Sequence, residues 1–358
     1  MSDNPSTDEC GVRTLARRAG TLEGTKSPRA ALTLDGRPAP ASVGHNMLYL
    51  TEEEVRRLLP MSECVRLMRE TFDALESGAA INQPRRRIVL PTGSVLHSMA
   101  GAIGPYFGTK FYSANVKHGA HFYFMLFDAS TAQPLAMMEA NFLGQIRTGA
   151  ASGYATDVLA RPDSKTLGVI GSGFQARTQI EAIMHVRKLR QVSVYSRHEA
   201  RREAFAEECT RAFGLPVIAK ESAAEAVRHA DIVVTATFSR DPVVEDAWIH
   251  PGTHINAMGS NQPQRRELPA RVIDRAKIIA VDSIEQAKLE SGDLLMAWSE
   301  EDWKTSRLIE LKNARRVSRA PQDITLFKSN GLGVEDVAAA GYIYEQARAA
   351  GIGRPFYS

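Results

Sequence analysis

The chain has 358 residues, 44% of them hydrophobic, with 44 basic against 41 acidic side chains and a formal net charge of +3. That length suits about two domains with ordinary cores, and the balanced charge carries no strong field marking a nucleic-acid or membrane partner. No apolar run approaches the roughly 20 residues of a membrane span. Cys10, Cys64 and Cys209 are scattered and odd in number, which argues against a disulfide framework or zinc cluster; the setting expected is reducing and cytoplasmic.

Residues 1–46 are rich in Ser, Thr, Pro, Gly and Arg without an apolar stripe, and read as a disordered tail ahead of a candidate start at Met47. Asp3, Asp8 and Glu9 speak against an organellar transit peptide. Order is expected from Leu48-Tyr49-Leu50. Thr51 then caps a helix whose first turn is Glu52-Glu53-Glu54, and a second helix over 62–76 stops at Gly78. Strand patterns follow at 88–90, 95–99, 109–114, 122–127 and 134–138, with a turn over 128–133, which predicts an antiparallel meander. A helix over 143–159 links the meander to what comes next.

The apolar run Leu167-Gly168-Val169-Ile170 feeds Gly171-Ser172-Gly173-Phe174-Gln175-Ala176, a Gly-x-Gly-x-x-Ala turn into a helix. Gly171 permits the turn, Gly173 lets the backbone approach a pyrophosphate, and Ala176 allows close helix–sheet packing. A helical pattern over 178–186 and an alternating strand over 191–196 complete a βαβ unit, and strands at 231–237, 254–258 and 277–281 extend it. The last helix, 334–349, is amphipathic and returns to the first domain. The fold class expected is α/β: a Rossmann-type doubly wound parallel sheet over 143–319, plus a smaller α+β domain built from 47–142 and 320–358.

An NAD site places an acid at the end of the second strand, on the ribose 2′-hydroxyl. This chain has Ser196 and Arg197 there, with His198, Arg201 and Arg202 close behind. A guanidinium suits a 2′-phosphate, so NADP(H) is the preferred cofactor and NAD(H) the alternative. Basic residues from the meander are the candidates for chemistry. Arg85-Arg86-Arg87 precedes a strand, Lys110 interrupts the aromatic strand Tyr106 to Tyr112, and Arg147 opens the linking helix. Such groups hold a carboxylate, and a partly buried lysine can deliver a proton to an imine.

Gln145-Ile146-Arg147-Thr148-Gly149-Ala150-Ala151-Ser152 ahead of the glycine corner, and Thr325-Leu326-Phe327-Lys328-Ser329-Asn330-Gly331 followed by Glu335-Asp336, resemble the ornithine cyclodeaminase/μ-crystallin family. The resemblance implies an NAD(P)-dependent homodimer acting on small amino and imino acids, with a substrate-binding domain whose sheet also makes the dimer contact. It implies that Arg86, Lys110 and Arg147 grip the substrate carboxylate, Arg85 and Arg87 being the alternatives one register away. It also implies cofactor contacts from Thr148, from Thr235, Ala236 and Thr237, from Met258 and Gly259, and from Ser329. Two departures stand out: cyclodeaminases carry an Asp where this chain has Asn261 and a Glu where it has His97. Asn261 cannot take a proton, though it could simply cap a loop, and His97 could be an ordinary strand histidine. The expected function is therefore an NADP(H)-dependent reductase of a small α-imino acid, reversibly an amino-acid dehydrogenase. The alternatives are a cyclodeaminase-like lyase and a non-catalytic NADPH-binding protein. No metal site is expected, His118 and His121 having no evident third ligand. Arg265-Arg266-Glu267 is expected to open a helix, and Trp298 and Trp303 to pack.

Overall fold

The computed structural model describes residues 47–356, so the tail expected over 1–46 lies outside the described residues. β1 (Leu48–Leu50) leads into α1 (Glu52–Leu58) through a capping box, in which Thr51 Oγ1 accepts from Glu54 N at 3.4 Å and the Glu54 carboxylate accepts from Thr51 N at 2.9 Å. α2 (Met61–Ser77) buries Cys64, Val65, Met68 and Phe72 and ends at Gly78 with φ +76°. The meander follows as β2 (Ala80–Val89), β3 (Val95–Ile103), β4 (Tyr106–Asn115), β5 (Gly119–Asp128) and β6 (Pro134–Glu139). β2 starts well before the apolar residues that announce it, because Asn82 to Arg87 interrupt its apolar pattern.

α3 (Asn141–Leu159) is buried along most of its length. Gly149 explains how: a Cβ there would stand 2.5 Å from the Thr178 carbonyl oxygen. Gly149→Ala is expected to destabilise the fold by about 1–3 kcal/mol through overpacking, read as a lowered Tm.

The dinucleotide half runs β7 (Thr166–Ile170), α4 (Phe174–Val186), β8 (Gln191–Tyr195), α5 (Glu199–Phe213), β9 (Val217–Ala219), α6 (Ala223–Val227), β10 (Ile232–Thr235), β11 (His254–Ala257) and α7 (Ala270–Arg275). It continues through β12 (Ile278–Val281), α8 (Ile284–Glu290), α9 (Gly292–Leu295), β13 (Leu308–Glu310) and β14 (Thr325–Lys328). The chain closes with α10 (Gly333–Ala350) and β15 (Arg354–Pro355). Eight parallel strands order as β13-β12-β14-β11-β10-β7-β8-β9, the Rossmann arrangement with its switch point between β7 and β10. The other sheet orders as β15-β1-β6-β5-β4-β3-β2. α3, α10 and α2 share one core with it, and Phe327 and Ala280 of the parallel sheet join that core.

Three expectations are corrected. β14 lies inside the parallel sheet, between β11 and β12, so the 320–358 segment does not return whole to the first domain; the return begins at α10. α10 is not simply amphipathic, since residues from Gly333 to Val337 are all buried. Arg265-Arg266-Glu267 opens no helix; α7 starts at Ala270, and the Glu267 carboxylate turns inward instead. Trp298 and Trp303 do pack, edge to face at 5.1 Å, in the core of the parallel sheet.

Candidate active site

β7 ends in Gly171 at φ +119°, where a Cβ would stand 2.5 Å from the Ala236 carbonyl oxygen. Gly173 caps α4 without a side-chain hydrogen bond, and a Cβ on it would meet nothing within 4 Å. Open space therefore lies over an uncapped helix start at the switch point, which fits a dinucleotide's phosphates. Below it Ala176 is buried in the core, while Phe174 is 48% exposed above. Gln175 and Phe174 both face the neighbouring cavity. The Ser172 and Ser196 hydroxyls lie 2.8 Å apart, tying the glycine corner to the end of β8.

Arg197 is exposed beside Ser196, and no partner engages it among the described residues. Arg202 is different: it is buried, donates to the Ser196 carbonyl at 3.3 Å and stacks over Tyr195.

The residues expected to contact the cofactor at the ends of β10 and β11 have most of their donors engaged within the protein. Buried Glu267 accepts from Thr235 Oγ1 at 2.9 Å, from Thr237 N and Oγ1 at 2.6 Å each, and from Gly259 N at 2.7 Å. Those donors hold two strand ends together and are not free for a ligand. Ala236 serves as the wall against Gly171, and Met258 reaches the cavity.

That cavity, of about 350 Å³, opens between the meander and the glycine corner. The structure brings Arg85, Lys110, Arg147, Thr148, Asn261 and Ser329 to its wall. It leaves Arg86 out. Gln83 pairs with Ala100 but Arg86 with Ser98, so Pro84 and Arg85 together oppose Met99 in a β-bulge. Pro84, lacking an N–H, suits the interrupted ladder. Plain alternation from Asn82 would aim Arg86 inward; the bulge aims Arg85 and Arg87 inward and leaves Arg86 exposed. Arg85 Nη2 donates to the Asn330 carbonyl at 2.7 Å, while its Nε and Nη1 are buried without a partner.

Lys110 Nζ lies 2.7 Å from the Asp336 carboxylate. Burial, with Arg147 beside it, pushes its pKa down to about 7 against the pull of Asp336. Arg147 is engaged elsewhere than expected: Nε donates to Asp336 and Nη1 to Glu335, each at 2.9 Å. Burial raises the Glu335 carboxyl to about 8 despite that guanidinium. His97 stacks on Tyr112 at 4.2 Å, and Tyr112 on Phe122 at 4.6 Å, forming an aromatic wall. Burial and the nearby Arg85 and Arg87 push His97 down to about 4, so it is neutral at physiological pH. Thr148 Oγ1 donates within α3 to Gly144 at 2.7 Å, and Ser329 Oγ lies 3.4 Å from Asp282.

A profile described as the ornithine cyclodeaminase/mu-crystallin family matches residues 45–351. The chain belongs to that family. Delta(1)-pyrroline-2-carboxylate reductase of Bacillus cereus is 41% identical over 234 residues, 64% of this chain and 72% of the relative. The structure of the Thermococcus litoralis Delta(1)-pyrroline-2-carboxylate reductase in complex with NADH and L-proline superposes with a TM-score of 0.81 at 34% identity, covering 86% of this chain and 99% of that one. An archaeal alanine dehydrogenase dimer with bound NAD gives 0.81 at 32% identity, covering 86% and 98%.

Within this member of the ornithine cyclodeaminase/mu-crystallin family, sequence reasoning assigned no role to the buried acids that arrange the cations. Asp336 and Glu335 hold Lys110 and Arg147, Asp282 accepts from Gly331 N at 2.6 Å, and Glu290 takes Arg87. Lys328, fully buried, lies 3.3 Å from Asp293. The one available signal was Glu335-Asp336 in the first turn of a helix that is otherwise apolar as far as Tyr344.

Proposed function

We propose that the chain is an NADP(H)-dependent reductase of small α-imino acids, running reversibly as an amino-acid dehydrogenase. It belongs with the NAD(P)-dependent oxidoreductases that act on C=N and CH–NH bonds. The observation that carries the reading is Arg85, whose two unpartnered buried donors share a cavity wall with Lys110, next to the glycine corner. A buried guanidinium with open donors calls for a planar anion, and a carboxylate matches its fork.

The cofactor phosphates would rest on the start of α4. A nicotinamide cofactor supplies the hydride when bound. Arg85 Nε and Nη1 hold the substrate carboxylate and so orient the imine. Lys110 Nζ, protonated and fixed by Asp336, donates its proton to the imine nitrogen; in reverse, neutral Lys110 takes the proton from the amine. Arg147 orients Asp336 and so acts through it. Asn261 takes no proton, and neutral His97 extends the aromatic wall.

The family reading favours a homodimer, and exposed Ile81, Ile88 and Leu96 of β2 and β3 are available for a second copy to cover. Among the described residues no helix is long and apolar enough to cross a membrane.

Steady-state assays with pyrroline-2-carboxylate, piperideine-2-carboxylate and pyruvate plus methylamine, followed at the NADPH absorbance, test the reading; no turnover with any of them defeats it. Arg197, unengaged at the end of β8, supports NADPH over NADH. Arg197→Asp is expected to lower the NADPH:NADH affinity ratio by about tenfold or more, since it replaces a phosphate partner with a repelling carboxylate. Titration with both cofactors reads this, and an unchanged ratio removes Arg197 from the site.

A further inference from the structure

Arg85, Lys110 and Arg147 line the cavity, Arg87 lies behind its Asn261, and three of these four cations are closely held by carboxylates. Lys110 and Arg147 are held by Asp336 and Glu335, and Arg87 by Glu290. Glu290 sits at the end of α8 with its side chain 1% exposed. One oxygen takes Arg87 Nη2; the other accepts from Gln286 Nε2 at 2.8 Å and lies 3.9 Å from Arg85 Nη2. Arg87 also donates to the Asn261 carbonyl at 3.2 Å, and Asn261 lines the cavity. Arg87 therefore lies just outside the lining at Asn261, with a side chain 25% exposed, and among the described residues only Glu290 neutralises it. Among the cations of the lining, Arg85 keeps two buried donors without a partner, and its nearest carboxylate, Glu290, is 3.9 Å away.

We propose that Glu290 is the specificity-determining residue that restricts this site to monocarboxylic imino acids, by occupying Arg87 and leaving one cationic fork for one carboxylate. This rests on the reductase reading above and narrows its substrate class. A second carboxylate on the substrate would reach the rim and find Arg87 already paired, with Glu290 beside it as a like charge. Removing the Glu290 charge reverses both conditions: Arg87 becomes available and the repulsion disappears.

The test compares imines formed in situ from methylamine with 2-oxopentanoate or 2-oxoglutarate, which have equal chain length and differ by one carboxylate. Glu290→Gln is expected to raise the kcat/KM ratio of the dicarboxylic over the monocarboxylic substrate by about tenfold or more. Adding Arg87→Gln to that variant should return the ratio to the wild-type value. An unchanged or lower ratio in Glu290→Gln, or a raised ratio that survives the loss of Arg87, overturns the proposal. Should Glu290→Gln fail to fold, Arg87→Gln alone decides. A ratio equal to wild type supports a paired Arg87, and a fall of about tenfold shows that it was free. If the wild type reduces neither imine, the reductase reading is judged by the cyclic imines and pyruvate above. The specificity is then read from equilibrium binding of L-norvaline and L-glutamate to the cofactor-loaded protein, with the same expected change in ratio.

Discussion

Lys110→Met is expected to lower kcat/KM for imine reduction by about 10²- to 10⁴-fold, the usual contribution of a positioned acid or base, with NADPH affinity unchanged. The side chain is of similar length, so packing around it is largely kept. What disappears is the proton that Nζ gives the imine nitrogen. The pH dependence follows from the same group. Burial holds Lys110 at about 7, and reduction uses the protonated form, so kcat/KM in that direction falls as pH rises through about 7. Amine oxidation uses the neutral form and rises over the same interval. Asp336→Asn removes the anion that favours the charged lysine and should move both limbs to lower pH. A Lys110→Met enzyme of wild-type activity, or a reductive profile flat from pH 6 to 9, would remove Lys110 from the chemistry.

Arg85→Ala is expected to raise the KM for an imino acid by about 10²-fold, in line with the 2–5 kcal/mol lost when one partner of a buried charged pair is truncated. Arg86→Ala should stay within about twofold, as surface substitutions do. The contrast between adjacent arginines is the informative measurement. Equal effects, or a larger one at Arg86, would show that the β2 bulge does not set which guanidinium meets the substrate.

The glycine corner was legible in the sequence because its physics is local: a strand, a positive-φ glycine and a helix start within ten residues. The meander was legible from alternation, except in the first part of β2, where Asn82 to Arg87 break the pattern. Arg86 was singled out by the family resemblance, with Arg85 and Arg87 one register away; side-chain direction in a strand counts residues in twos, and one extra residue at Pro84–Arg85 turns Arg86 outward. Nothing in a single sequence announces that insertion. Arg147 was expected to face the substrate because the acids that take its donors, Glu335 and Asp336, lie far along the chain and meet it only in the fold. Thr235, Thr237 and Gly259 looked like ligand contacts for the same reason: Glu267, which collects their donors, is in a loop without periodicity. β14 was assigned to the wrong half because a four-residue buried strand carries too little pattern to reveal its neighbours.

α3 has hardly any face turned to solvent, and it carries Gln145, Arg147 and Thr148 between the two sheets. A helix enclosed in this way tolerates few substitutions, because most of its positions press on another element. Tyr112 and Phe122, within β4 and β5, and Asn261, in a loop, shape the rest of the cavity and are only half-buried. Substitutions there are expected to cost less stability than substitutions in α3. A change of substrate is therefore expected to come from the cavity's outer wall, with the positions of α3 left as they are.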